Sequence, residues 1–158
     1  MGTDVQWLDG EEMRAWRAFV ETTHDLLNAF EADLAAHDLT LGDYQVLVYL
    51  SEADGQAMRM CDLAGRLRLS PSGLTRRLDG LVRSGDVVRR PSATDRRVML
   101  AQLTETGLRH LQEAAPTHVR SVRRRLFDHV EPDDVATLAR MFGAVGEGLE
   151  ASRSTASG

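Results

Sequence analysis

The sequence predicts a mainly α protein carrying one small β-hairpin, on three observations. Apolar residues recur at the helical period of about 3.6 residues through most of the chain. Two short strand-like runs, Val87–Arg90 and Val98–Leu103, flank Pro91-Ser92-Ala93-Thr94-Asp95-Arg96-Arg97, which has turn composition. Finally, 158 residues at 42% hydrophobic and 27% charged suit one soluble domain with its own core, and exclude collagen-like and wholly disordered chains.

In the first helix Met13, Trp16, Val20, Leu27, Phe30 and Leu34 share a face, which Phe19 and Leu26 widen. It spans about 24 residues, roughly 36 Å at about 1.5 Å per residue. A helix this long on a small chain outruns its own domain and asks for a partner. Leu41–Leu50 predicts a short second helix, with Leu41, Tyr44, Leu47, Val48 and Leu50 apolar, and Cys61–Leu67 predicts a third. The fourth has the plainest limits: Ser70 supplies an N-cap, Pro71 the first helical position and Gly85 the stop. After the hairpin, Thr104 caps a fifth helix, with a kink expected at Pro116. Pro132 opens a sixth, whose apolar face holds Val135, Leu138, Phe142, Val145 and Leu149. Ser152–Gly158, small and polar, reads as a disordered tail. A helix-turn-helix followed by a hairpin, bracketed by terminal helices, is the order of a winged helix-turn-helix.

The net charge of −5 hides its distribution. Residues 1–55 carry −10, residues 56–126 carry +9 and residues 127–158 carry −4, so the basic block coincides with the helix-turn-helix and hairpin. All 19 bases are arginine, a planar fork suited to phosphate and to guanine edges, although codon bias is a bland alternative. With one cysteine no internal disulfide forms, and neither a secretory leader nor a spanning run is evident, so a cytoplasmic protein is expected. No Gly-rich phosphate loop, Ser-His-Asp or Cys-His pattern or paired carboxylates can be placed, and no catalytic residue or cofactor is expected. The five histidines are scattered, and the step from His110 to His118, roughly 12 Å along a helix, is too long to share an ion, so no metal is expected.

On a helical wheel of the fourth helix, Leu74, Leu78, Leu81 and, at the margin, Val82 form the buried side, while Ser72, Arg76, Asp79 and Arg83 point away and Thr75 flanks them. Solubility alone would also produce this pattern. Its pairing with an arginine-tipped hairpin favours DNA: the helix suits a major groove and the hairpin a minor groove.

The run Leu63-Ala64-Gly65-Arg66-Leu67-Arg68-Leu69-Ser70-Pro71-Ser72-Gly73-Leu74-Thr75-Arg76, then Leu81-Val82-Arg83-Ser84-Gly85, then Asp95-Arg96-Arg97 with Leu103-Thr104, resembles the MarR family of bacterial transcriptional regulators over about residues 10–150. The resemblance implies a double-stranded DNA operator bound by a homodimer, whose first and last helices form the dimer. Residues 1–40 then hold the N-terminal region and long dimerisation helix, 41–104 the winged helix-turn-helix, 105–151 the C-terminal dimerisation helices and 152–158 the tail. Arg97 becomes the minor-groove arginine, Asp95 its orienting partner and Arg96 a phosphate contact. Ser72, Thr75 and Arg76 face bases, while Ser70 and Arg77 touch the DNA backbone. Gly73 departs from the family, which usually presents a side chain there. The resemblance also implies a small aromatic or phenolic effector, for which Trp16, Val20, His24, Tyr44 and Leu47 are the candidate contacts, with plain core packing as the alternative. The family's peroxide-sensing branch has its reactive cysteine in the first helix, where this chain has none, so Cys61 reads as structural.

The expected function is a repressor on a pseudo-palindromic operator, nucleoid-associated when bound and released by an effector. The nearer alternative is an effector-independent or activating regulator. A helical protein-interaction module that binds no DNA is the different class, and predicts affinity that does not fall steeply with salt.

Overall fold

The computed structural model describes residues 5–156, with side chains through Arg153. They fall into two compact units, divided between Val119 and Arg120. The first unit opens with α1, Gly10–Ala35, started by a capping box: the Asp9 carboxylate accepts from the Glu11 and Glu12 N–H groups, and the Glu12 carboxylate accepts from the Asp9 N–H. Only Phe30 and Leu34 of its apolar stripe are buried, while Trp16, Val20 and Leu27 stay 55%, 43% and 47% exposed. The core of the unit therefore covers only the last turns of α1.

Helix α2, Leu41–Glu52, starts at Thr40 in a second capping box with Asp43 and buries Tyr44, Val46, Leu47 and Leu50. Helix α3, Met60–Arg66, and helix α4, Pro71–Arg83, form the helix-turn-helix. The Ser70 hydroxyl accepts from the Gly73 N–H at 3.1 Å, as the Ser-Pro signature requires. At the other end the Asp86 N–H donates to the Leu81 carbonyl and the Gly85 N–H to the Val82 carbonyl, a Schellman closure that needs the left-handed backbone of Gly85, φ 83°. Leu74, Leu78 and Leu81 face the core as expected, but Val82 is exposed.

The hairpin is β2, Val87–Pro91, and β3, Met99–Leu103. A strand absent from the sequence reading, β1 at Ala57–Arg59, pairs antiparallel with β3 through Met58 opposite Ala101, so the sheet order is β1-β3-β2. Three residues are too few to display an alternating pattern, and β1 exists because β3 offers it a free edge. Leu34, Leu47, Leu50, Leu63, Leu74, Leu78 and Val87 are fully buried together between the helices and this sheet.

Helix α5, Glu105–Arg125, starts where the Thr104 hydroxyl accepts from the Gly107 N–H, and it runs through Pro116 as one helix. In the second unit, turns at Phe127–His129 and Pro132–Asp134 precede α6, Val135–Ala156. The expected tail at 152–158 is thus corrected: it is helical to Ala156, and residues 157 and 158 lie outside the described residues. The Ser152 hydroxyl donates to the Gly148 carbonyl one turn back, so its polar group is satisfied within the helix. Among the described residues no helix is long and apolar enough to cross a membrane.

Candidate nucleic-acid interface

Helix α4 presents Ser70, Ser72, Thr75 and Arg76 to solvent. Ser70 is occupied as the N-cap and lies 3.2 Å from the Ser72 hydroxyl. A Cβ on Gly73 would sit 3.2 Å from the Ser70 hydroxyl, so the missing side chain there gives the cap room. The Thr75 hydroxyl donates to the Pro71 carbonyl and keeps its lone pairs for a donor outside. The Arg76 guanidinium has no hydrogen bond or ion pair among the described residues.

Arg77, expected to touch the DNA backbone, is engaged within the protein. Half-buried, it donates from Nη1 to the Thr40 hydroxyl at 2.8 Å and lies 3.6 Å from the Asp43 carboxylate. The physical reason is an acid at the start of α2, beside a glycine that leaves the space open. On the other flank of α4, Arg89 of β2 donates from Nη2 to the Thr75 carbonyl and to Asp79, both at 2.8 Å. This brace between strand and recognition helix was missed in the sequence, where Arg89 reads only as one more strand cation.

At the hairpin tip Asp95, Arg96 and Arg97 are all exposed. The Asp95 carboxylate accepts from the Arg97 N–H at 2.9 Å, and its carbonyl from the Val98 N–H at 3.0 Å. Asp95 thus orders the main chain of Arg97 rather than its guanidinium. The guanidinium groups of Arg96 and Arg97 carry no partner among the described residues, so three cations, with Arg76, are left for an outside anion.

Behind this face lies a polar clasp that the sequence reading also missed. Asp86, 1% exposed, accepts from the Ser84 hydroxyl at 2.6 Å and from His110 Nδ1 at 3.1 Å. His110 Nε2 in turn lies 2.8 Å from the His37 carbonyl. Both ring nitrogens face acceptors, which only the imidazolium satisfies at once. Burial opposes that charge, but the bonds to His37 and Asp86 and the charges of Asp86 and Glu113 outweigh it, and the His110 pKa rises above 6.5. On the same helix His118 packs against Phe30 and Tyr44, with ring centroids 5.3 and 4.6 Å away, and its Nδ1 is buried without a partner. There burial outweighs the attraction of Asp33, and the pKa falls below 6.5.

The two histidines respond to pH in opposite directions. Folding tightens the proton on His110, so its stabilisation is whole below about pH 6.5 and is lost as pH rises through its raised value. Folding loosens the proton on His118, so its stabilisation is whole above about pH 6.5 and is lost as pH falls toward its lowered value. In thermal melts, His110→Gln is expected to flatten the alkaline side of the midpoint-against-pH curve, and His118→Phe the acid side. A His110→Gln curve parallel to wild type from about pH 6.5 to 9 would refute the clasp.

The candidate effector contacts do not come together within one chain. Tyr44 and Leu47 are buried in the core, Trp16 and Val20 are exposed, and His24 sits on an exposed stretch of α1 beside Asn28 at 3.0 Å. Trp16 is 14 residues from Phe30, about 21 Å along the helix. One cleft of about 430 Å³ is lined by Asp38, Asp43, Asp86, Arg109, His110 and Glu113, among others, and a second of about 470 Å³ by Asp43, Leu69, Gly73, Arg76, Arg77 and Gly80. Neither includes any of the five. Cys61, read as structural, is exposed rather than part of the core, and its thiol lies 3.4 Å from Asp62. Among the described residues no three His, Cys, Asp or Glu gather to hold a metal.

Comparison with known proteins agrees with the winged fold. The MarR family model matches residues 37–98. AbsC, a MarR family transcriptional regulator from Streptomyces coelicolor, is 37% identical with a TM-score of 0.89, over 93% of this chain and 99% of that one. Sco3205, a MarR family regulator from the same organism solved in complex with DNA, is 30% identical with a TM-score of 0.88, over 94% of this chain and 93% of that one. The HTH-type transcriptional repressor YetL of Bacillus subtilis is 23% identical over 142 residues, 90% of this chain and 84% of YetL. Identity of 37% over nearly the whole of both chains, on the same winged fold, means that the protein belongs to the MarR family of transcriptional regulators.

Proposed function

We propose that this transcriptional regulator is a cytoplasmic homodimeric repressor that binds a pseudo-palindromic operator, with α4 in the major groove and the hairpin tip in the minor groove. The observation that carries the reading is that the guanidinium groups of Arg76 on α4 and of Arg96 and Arg97 on the tip, all within the +9 block of the chain, have no hydrogen bond or ion pair among the described residues. Sco3205, solved with DNA, and the repressor YetL support it by kinship. The dimer is supported by apolar side chains left exposed on both terminal helices, Trp16, Val20 and Leu27 on α1 and Met141, Val145 and Leu149 on α6. Two recognition helices related by a twofold axis read half-sites one turn, about 34 Å, apart. A footprint of that spacing on the promoter of its own gene, made by a protein that sediments as a dimer, tests the reading.

Release by a small aromatic or phenolic effector would need a second chain to complete a site around Trp16, Val20 and His24. That Tyr44 and Leu47 are buried in the core while Trp16 and Val20 are exposed, and that neither cleft is lined by any of the five candidate contacts, favours the second reading, a regulator without effector. Titrating aromatic acids and phenols into the footprint separates the two.

Arg76→Ala is expected to cost about 1–3 kcal/mol and to relax preference at one base-pair position, as loss of a bidentate guanine contact does. Selection of binding sites by both proteins from a random pool checks it. A uniform loss with unchanged preference would reassign Arg76 to phosphate.

A further inference from the structure

We infer that Arg77 is a positioning residue of the DNA interface rather than a DNA contact, and that Gly42 is the vacancy that lets it act. The inference rests on the DNA reading above and adds to it a division of labour between two adjacent arginines. Arg76 projects from α4 with no hydrogen bond or ion pair among the described residues, whereas Arg77, one residue and about 100° further round, turns back onto α2.

The address it reaches is complete. The Thr40 hydroxyl donates to Asp43 Oδ2 at 2.6 Å, accepts from the Asp43 N–H at 3.0 Å and accepts from Arg77 Nη1 at 2.8 Å. One donor and two acceptor positions are all a hydroxyl has, so the guanidinium fills the last place in the capping box of α2. The charge is met as well, with Asp43 Oδ1 3.6 Å away and the two side chains 34% and 20% exposed. A cation so engaged is a poor phosphate ligand, since binding DNA would first break both contacts.

Space points the same way. A Cβ built on Gly42 would lie 2.5 Å from Arg77 Cζ and 2.8 Å from both Nη atoms. The guanidinium is laid across the glycine, which any other residue would push away. Leu74, Leu78 and Leu81 seat α4 on the core. Arg77 ties one flank of α4 to α2 and Arg89 ties the other to the sheet, so the angle at which Arg76 meets a groove is set from both sides.

The test uses the full chain and a labelled duplex that the wild-type protein selects from a random-sequence pool, with affinity followed against salt. Removing one phosphate contact lowers the slope of log K against log salt by about 0.9. Arg96→Ala is the comparator expected to show that change. Arg77→Ala is expected to bind at least about fivefold more weakly with the wild-type slope. Gly42→Ala, which keeps every charge and displaces only the flexible end of Arg77, is expected to show the same loss with the same slope. Arg77→Lys, still charged but without the planar fork, is expected not to restore binding. A slope lowered in Arg77→Ala as in Arg96→Ala, full rescue by Arg77→Lys, or wild-type affinity in Gly42→Ala overturns the inference while leaving the DNA reading intact. A wild-type protein that enriches no duplex overturns both.

Discussion

Arg97→Ala is expected to weaken operator binding at least tenfold, about 1.4 kcal/mol or more, and to leave the dimer and the melting curve unchanged. The side chain is exposed and its guanidinium has no hydrogen bond or ion pair among the described residues, so its loss costs the fold nothing measurable. Its main chain is held on both sides of the turn. The Asp95 carboxylate takes the Arg97 N–H, the Asp95 carbonyl takes the Val98 N–H, and the Val98 carbonyl takes the Ser92 N–H at 2.8 Å. The cation is thus delivered on an ordered tip, and little conformational entropy remains to be lost on binding. A narrow minor groove concentrates negative potential, which is where an inserted arginine gains most. Gel-shift titration on the footprinted duplex measures the effect, with sedimentation to confirm the dimer. Affinity equal to wild type would remove the hairpin tip from the interface.

Asp86→Ala is expected to have the largest effect on stability, about 2–3 kcal/mol, or roughly 4–12 °C in the unfolding midpoint. Asp86 is almost wholly buried at the end of α4, and its carboxylate is the acceptor for both the Ser84 hydroxyl and His110 Nδ1. Alanine leaves the His110 Nδ1 donor without its acceptor beside a cleft, while the Ser84 hydroxyl keeps the Leu81 carbonyl at 3.1 Å, and a donor that loses its partner costs more than the bond it made. The same change breaks the bridge that ties the junction of α4 and β2, through His110, to the carbonyl of His37 after α1. Loss of DNA affinity should therefore accompany the loss of stability, without a change in salt slope. Thermal melts followed by circular dichroism test the first part. A midpoint within about 1 °C of wild type would show that the clasp carries no load.

Much of this molecule is legible along the chain, and for local reasons. Ser70-Pro71 and Gly85 bound α4 because a cap hydroxyl, a fixed φ and a left-handed residue act within a few positions of themselves. The hairpin is legible in its turn composition, and the exposed face of α4 in a period that any helix must obey. What was not legible depends on partners distant in sequence. Strand β1 needs the edge of β3, 43 residues away between Met58 and Ala101. Arg77 resembles Arg76 in every local respect, and only the position of α2 makes one a strut and leaves the other free. The stripe on α1 shows that the helix is amphipathic but not which part of the stripe its own chain covers.

By itself, then, the sequence determined the winged order of elements, the division of charge into −10, +9 and −4, and the set of arginines from which an interface can be built. Tertiary structure decided which of those arginines remain available. Arg77 and Arg89 are drawn into the protein by Asp43 and Asp79, while Arg76, Arg96 and Arg97 have no hydrogen bond or ion pair among the described residues. The reason is that a cation's role is set by the nearest anion in space, and the Coulomb term between two groups falls with their distance, whatever their separation along the chain.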